Sequence, residues 1–198
     1  MSHSRTGLKL RPSKRRTDHP HQWELLVNFF LIATAALFLY VSAAYFATWY
    51  SGDTYLSKYL LMGYLLLLPS THFMLALPRQ FEEEADKKIV FGIGLSLLSL
   101  VVFFVFQWLA WSDKIAESPD SSPFIYALSV AHGAYFFLVF ALGLIQLIYV
   151  GRNLTDMVKR LIYYSNGFQR LKLVLLARIW VFLNILWGVI IFAFLLIS

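Results

Sequence analysis

The amino-acid sequence predicts an all-α integral membrane protein, a bundle of five transmembrane helices. Of its 198 residues, 59% are hydrophobic and 14% are charged, whereas soluble domains contain about 45–50% apolar and about 25% charged residues. The apolar residues also fall into five long stretches, each of which reaches the about 20 residues that a helix needs to cross a bilayer. So few charges cannot cover a water-exposed surface of this size, and the bilayer must therefore solvate much of it.

A polar and basic segment over residues 1–22 precedes the five-helix domain, which covers 23–198. We predict that this segment is a cytoplasmic tail, because a signal peptide has a short apolar run and a cleavage site of small residues directly after its charges. The predicted spans are 25–49, 56–77, 89–111, 124–150 and 173–197. Each span is apolar on all sides, as expected of a helix surrounded by lipid.

Basic residues are unevenly distributed among the segments outside the spans. They are concentrated in the tail and in segments 78–88 and 151–172, whereas the other connections hold only Lys58 and Lys114. Because Lys and Arg mark the cytoplasmic side of a membrane protein, the N-terminus is predicted inside and the C-terminus outside. The same distribution favours membrane topology over nucleic-acid binding as the reason for the net charge of +6.

Two of the predicted cytoplasmic segments have a distinctive residue pattern. Segment 78–88 carries a run of acids that we interpret as a solvated loop and helix start, or else as a docking patch for a partner subunit. The second segment has apolar residues at helical spacing among charges, which predicts a short amphipathic helix on the inner membrane surface. These apolar residues are Leu154, Met157, Leu161 and Ile162.

Polar residues inside the predicted spans are candidate sites, because polar groups are costly in hydrocarbon. They are His72, Gln107, His132, Gln146, Arg178 and Asn184. No carboxylate is predicted near mid-membrane, which argues against a proton-coupled transporter. The absence of cysteine excludes disulfides and thiol chemistry, and the sequence contains no His/Asp/Glu cluster with metal spacing, no Ser-His-Asp set and no phosphate loop. We therefore predict no catalytic, cofactor-binding or metal-binding residues in this chain.

His72 and His132 lie on different spans and offer one alternative, the axial ligation of a b-type haem. From the outer face, His132 lies about nine and His72 about sixteen residues into its span, so at 1.5 Å per residue their depths differ by about 10 Å. Two axial ligands should lie at similar depth. We therefore favour a packing role, with Gly133 beside His132 permitting close approach of helices.

The third and fourth spans carry motifs of a known family. The fourth has an aromatic-rich start, then His132-Gly133, and it is followed by the basic Arg152. The third span ends in a motif that starts at Gln107 and closes at Trp111, with Ala110 directly before this tryptophan. These features resemble subunit III of the haem-copper terminal oxidases, in which the glutamine is followed by an acidic residue and a tryptophan.

The second and last spans extend this resemblance. The second has a Ser/Thr-rich stretch that ends at His72 and precedes a charged loop, and the last contains Trp180 and Asn184, similar to the family's Trp-His-Phe-Val-Asp segment. The likeness covers about residues 24–198. It corresponds to the short five-helix form of the subunit.

The departures from the family pattern all remove an ionisable group. Thr34 stands where the family has a buried glutamate. The other departures are Ala110, Tyr135, Val181 and Asn184. Because the ionisable side chains are missing, these positions are not expected to handle protons. The helical scaffold is instead expected to be retained without these charged groups.

The resemblance implies a non-catalytic accessory subunit of an oxygen-reducing cytochrome c or quinol oxidase, in the aerobic respiratory chain of a bacterial cytoplasmic membrane. Haem and copper are expected in partner subunits and not in this chain. Its partners would be the catalytic subunit I, the other oxidase subunits and membrane phospholipids. The alternatives are a membrane-anchor subunit of another respiratory complex, and the b-type cytochrome that would use His72 and His132.

Overall fold

The computed structural model describes residues 20–48, 58–117, 123–153 and 155–197, and these ranges are helical apart from short turns. The helices are α1 (Pro20–Thr48), α2 (Lys58–Glu82), α3 (Asp86–Glu117), α4 (Pro123–Asn153), α5 (Met157–Ser165) and α6 (Gly167–Ile197). All of these except the short α5 are long and apolar enough to cross a membrane. The chain is therefore a multi-pass membrane protein of the predicted fold class. The basic tail up to residue 19 lies outside the described residues.

Several helices continue beyond the apolar runs that predicted them. The α2 helix passes Pro69 and Pro78 and ends at Glu82, and α6 begins at Gly167 in a polar segment. The apolar run indicates which part of a helix contacts lipid. The helical conformation continues into the polar flanks, and in α2 it does so past Pro78, which removes one backbone hydrogen bond without ending the helix.

Helices α2, α3, α4 and α6 form a four-helix bundle. The α2 helix packs most extensively on α3 and next on α6, and α4 lies between α3 and α6 on the other side. Large apolar side chains fill the interior. Those with almost no exposure include Leu67, Met74, Leu77, Leu100, Phe103, Phe136, Trp180 and Trp187.

Helix α1 lies on the outside of this bundle. It packs mainly on α6, and two of its rings, Phe30 and Phe38, contact Tyr135 of α4 with centroids 5.7 and 5.9 Å apart. Near the basic end, defined here as the end where α2 and α4 stop and α6 starts, the Arg178 guanidinium donates to the Asn28 side-chain oxygen at 3.1 Å. Most large side chains of α1 remain exposed, so this helix is the least enclosed of the five spans.

A tight turn joins α2 to α3 at the basic end. The Ala85 N–H donates to the Gln80 carbonyl at 2.9 Å, and the Glu84 N–H donates to the Phe81 carbonyl at 3.2 Å. This pair of bonds is the Schellman pattern that closes a helix C-terminus, and it places Glu84 in the left-handed region with φ 49°. That position usually holds glycine, because a Cβ is unfavourable there.

The acids of this turn bind α5 and α6. Arg160 pairs with Asp86 at 2.8 Å, and Arg170 pairs with Glu82 at 2.5 Å. Arg160 also donates to the Glu84 carbonyl at 3.2 Å. Neither sequence interpretation of the acidic run anticipated this internal use, because the basic partners lie far along the chain. Exposed ion pairs contribute about 0–1 kcal/mol each, so Asp86, the most enclosed of the acids, is the principal contact.

The short helix α5 confirms the helical spacing found in the sequence. It begins after Asp156, whose side chain accepts a bond from the Val158 N–H at 2.9 Å and caps the helix. Leu154, which the prediction included, lies outside the described residues. Tyr163 is buried, and Tyr164 donates to the Asp86 carboxylate. Burial raises the pKa of the Tyr163 phenol to about 12, and Tyr149 and Asp86 add to this effect. The phenol therefore stays protonated even at a pH at which an exposed tyrosine ionises.

Glycine at position 84 should stabilise the protein. Glu84→Gly removes the strain of a Cβ at positive φ, which outweighs the added freedom of the unfolded chain, and we expect a gain of about 0.5–1 kcal/mol in the free energy of unfolding. Unfolding by SDS in mixed micelles measures it. Glu84→Ala, the control, also loses the carboxylate but keeps a Cβ. An equal gain from both variants would show that charge, and not backbone strain, limits stability here.

Candidate functional site

Three of the six polar residues singled out in the spans, Gln107, His132 and Asn184, lie in a buried cluster between α2, α3, α4 and α6. We call this cluster the polar core and define it by Ser70, Gln107, His132, Trp180 and Asn184. Each of these residues is at most 3% exposed. The cluster therefore lies inside the membrane-spanning bundle, and its chemistry depends on how each polar atom is used.

Ser70 connects three helices. The Trp180 indole N–H of α6 donates to the Ser70 hydroxyl at 2.8 Å, and that hydroxyl donates to the Leu67 carbonyl of its own helix at 2.5 Å. From α3, the Ser96 hydroxyl donates to the Ser70 carbonyl at 3.3 Å. Because the residue before Ser70 is Pro69, which interrupts the hydrogen bonding of α2, these bonds reinforce the helix at its weakest point.

His132 is enclosed by aromatic rings. Its Nε2 lies 3.2 Å from the Leu183 carbonyl oxygen, which can only accept, so Nε2 carries the proton and donates. The imidazole stacks on Trp187 with centroids 4.4 Å apart, and Phe136 meets it edge-on at 4.7 Å. This environment holds the ring between α4 and α6.

Asn184 and Tyr64 extend the cluster toward the other end of α2. The Asn184 side-chain amide donates to the Trp180 main-chain carbonyl at 3.0 Å, and the Tyr64 hydroxyl donates to the Asn184 main-chain carbonyl at 3.2 Å. The Tyr64 hydroxyl lies directly over Gly188, where a Cβ would collide with it. Glycine at 188 therefore provides the space that the Tyr64 bond requires.

Gln107 completes the core from α3. Its side-chain oxygen lies 3.3 Å from the position that a Cβ would take on Gly133, so α3 and α4 approach closely at this pair. Three enclosed atoms of the polar core have no hydrogen-bond partner among the described residues, namely Gln107 Nε2, His132 Nδ1 and Asn184 Oδ1, and the same holds for Nε1 of the neighbouring Trp187.

The remaining predicted positions do not join the polar core. His72 is exposed on α2, and its described ring neighbour is Phe73. Arg152 is exposed in the last turn of α4. Trp111 belongs to α3, but its side chain lies outside the described part of the chain.

The two histidines are thus in different surroundings. His72 faces outward, whereas His132 is fully enclosed and uses Nε2 for its bond to Leu183. A haem held between them would require the ring packing around His132 to open, because Trp187, Phe136 and Phe103 enclose the imidazole. Among the described residues, no three His, Asp or Glu side chains are grouped so that they could hold a metal ion.

An open apolar groove of about 360 Å³ runs between α3 and α4 on the lipid-facing surface. Its lining residues are Val101, Phe104, Val105, Trp108, Phe137 and Phe140. Trp108 and Phe137 are 69% and 66% exposed. The groove is lined by aromatic rings and fits an acyl chain or the side chains of a neighbouring helix.

No protein-family model matches this chain, and no curated protein matches its sequence. Its function must therefore be argued from its own residues and from the motifs that they form.

Sequence reasoning missed two members of the hydrogen-bonded network, Tyr64 and Ser96. Both residues belong to apolar spans in which a single hydroxyl attracts no notice. Tyr64 and Asn184 are 120 residues apart, and no local signal in the sequence relates them. The one available hint was the Pro69-Ser70 pair, since a hydroxyl beside an intrahelical proline often bonds to freed backbone groups.

Ser70→Ala should destabilise the bundle. It leaves the buried Trp180 N–H without an acceptor, and we expect a loss of about 1–2 kcal/mol in the free energy of unfolding, measured by SDS titration. Ser99→Ala is the matched control, because the Ser99 hydroxyl bonds only to the Leu95 carbonyl of its own helix. That control should change stability by about 0.5 kcal/mol or less. Equal effects of the two alanines would contradict the role of Ser70 as a link between helices.

Gly188→Ala should also be destabilising, by about 1–3 kcal/mol, because its methyl group would displace the Tyr64 hydroxyl. Tyr64→Phe removes the colliding oxygen, so the double variant should lose less than the sum of the two single changes. At Gly94 a Cβ would meet no neighbouring atom within 4 Å, and Gly94→Ala should therefore be neutral or stabilising. If the stability losses of Tyr64→Phe and Gly188→Ala simply added in the double variant, the contact between the Tyr64 hydroxyl and position 188 would be excluded.

Proposed function

We propose that this chain is a non-catalytic accessory subunit of a haem-copper terminal oxidase, acting in aerobic respiration in a bacterial cytoplasmic membrane. The observation that carries the proposal is the meeting of motif residues from different helices. Gln107, His132 and Gly133, Trp180 and Asn184 come from separate parts of the sequence likeness, and they belong to one buried core.

The positions that depart from the family pattern give a second line of support. Three of the five, Thr34, Ala110 and Asn184, are 3%, 1% and 2% exposed, and the other two, Tyr135 and Val181, are half-buried. Ionisable groups within membrane spans almost always face the bundle interior. Inward-facing positions are therefore where the family's charged groups would be expected, and here they hold neutral residues.

The polar core is used for packing. Its hydrogen bonds connect helix to helix through Ser70, His132 and Asn184, and such contacts contribute about 0.6 kcal/mol on average within a membrane. A rigid scaffold of this kind suits a subunit that stabilises its neighbour. Haem and copper would belong to the catalytic subunit, and oxygen reduction would occur there.

We assign the α3/α4 groove to a transmembrane helix of the catalytic subunit. Aromatic side chains that fill pockets carry much of the binding free energy at protein interfaces, and Trp108 and Phe137 present such rings to the outside. The exposed apolar side chains of α1 form a convex single-helix face instead, which membrane phospholipids can cover. The groove is therefore the more selective surface.

The test is to purify the tagged chain from its native membrane in mild detergent and to identify the proteins that accompany it. We expect a large subunit with haem and copper spectra, and oxygen consumption by the purified complex. Recovery with a quinone-linked complex that lacks haem and copper centres would instead establish a membrane-anchor subunit. A chain recovered alone with a haem spectrum would make the His72/His132 cytochrome the better explanation.

Variants of the groove test the docking face separately. Phe137→Ala should lower recovery of the catalytic subunit by about fivefold or more, since a central interface aromatic contributes over 1 kcal/mol. Phe29→Ala, at an exposed ring of α1, is the matched control and should leave recovery unchanged. If Phe29→Ala lowered recovery of the catalytic subunit and Phe137→Ala did not, the docking face would lie on α1.

A further inference from the structure

The short helix α5 lies at the level of the membrane surface. It connects the end of α4 at Asn153 to the start of α6 at Gly167, and the apolar spans of both helices reach these residues. A helix of nine residues between two such ends cannot move far from the bilayer. Its surroundings are therefore the interface between headgroups and acyl chains.

One face of α5 is fixed against the bundle. Tyr163 is 2% exposed, and its ring meets Phe81 of α2 with centroids 5.4 Å apart. Tyr164 and Arg160 both bind Asp86 at the start of α3. These contacts determine which side of α5 faces outward.

The outward side is apolar. Met157, Val158, Leu161 and Ile162 are 89%, 65%, 70% and 60% exposed. At 3.6 residues per turn these four side chains occupy an arc of about 140° on the helix surface. No described residue covers this arc, and burying its side chains among acyl chains is the favourable arrangement for a helix at a bilayer surface.

Basic side chains lie at the same end of the bundle as this arc, on α5 itself and on the neighbouring ends of α4 and α6. Arg152, Lys159 and Lys172 have no carboxylate partner within the described ranges, in contrast to Arg160 and Arg170, which pair with acids. The Lys172 ammonium lies 4.8 Å from the centroid of the Phe168 ring and 5.7 Å from that of Tyr149. A cation beside interfacial aromatic rings is typical of the depth at which lipid headgroups lie.

We propose that α5 is a binding surface for anionic phospholipids, with its apolar arc inserted among the acyl chains of one leaflet and with Arg152, Lys159 and Lys172 on the headgroup phosphates. We assign this surface to the lipid leaflet and not to a partner protein, because α5 connects the ends of two membrane spans and combines exposed apolar side chains with cations at the same end of the bundle. This inference does not depend on the proposed oxidase role.

The chain contains no cysteine, so single cysteines can be labelled without background. Leu161→Cys places a fluorophore in the apolar arc, and Thr155→Cys places one at an exposed polar position before α5. The labelled full chain is reconstituted in nanodiscs that contain either phosphatidylcholine alone or an added fraction of phosphatidylglycerol. Quenching of the fluorophore by a nitroxide on the upper part of a lipid acyl chain reports contact with lipid. Quenching by iodide in solution reports contact with water.

The label at 161 should be quenched by the lipid nitroxide and protected from iodide, and the label at 155 should show the reverse. Quenching by spin-labelled phosphatidylglycerol should exceed that by spin-labelled phosphatidylcholine, and Lys159→Gln should reduce this preference by up to about fivefold. Iodide access at 161 equal to that at 155 would overturn the proposal. Protection of position 161 from both quenchers in native membranes would also overturn it, because a protein would then cover the arc.

Discussion

The hydrogen bonds at Ser70 are the interaction on which the packing of the bundle depends. Within a bilayer no water is available to satisfy a backbone group released by a proline, and Pro69 releases one in the middle of α2. That group is the Leu65 carbonyl. The bonds of Ser70 to Leu67, of Ser96 to the Ser70 carbonyl and of Trp180 to the Ser70 hydroxyl do not reach it, but they join α2, α3 and α6 directly beside the proline. The helix that contacts most of the bundle is thus held where its own hydrogen bonding is weakest.

The rest of the polar core extends from this point. Trp180 also provides the carbonyl to which Asn184 donates, and the Asn184 carbonyl in turn accepts from Tyr64. His132 joins α4 to the same stretch of α6 through Leu183 and Trp187. His132 thus bonds to a neighbouring helix and Asn184 to its own, whereas the Gln107 amide nitrogen has no hydrogen-bond partner among the described residues.

The basic end of the bundle follows a different principle. Water and headgroups are present there, so ion pairs are weak and the fixed points are the enclosed ones, Tyr163 and Asp86. These residues orient α5 and leave its apolar side outward. The bundle interior is thus held by neutral hydrogen bonds and ring packing, whereas its surface end is held by a few enclosed charged contacts within a solvated network.

The sequence by itself determined the membrane class, the number of spans and the helical segment at α5, because apolar length and helical spacing are local properties. It also identified Gln107, His132 and Asn184 as unusual, because polar residues in apolar runs are visible without a fold, and it pointed to Trp180 only through the family resemblance. Only the tertiary structure decided that these residues form one core, that His72 stands apart from it, and that the acids at 82–86 bind α5 and α6. Those contacts join residues that are distant along the chain, and the helix-to-helix register that creates them is fixed by side-chain packing that no single span encodes.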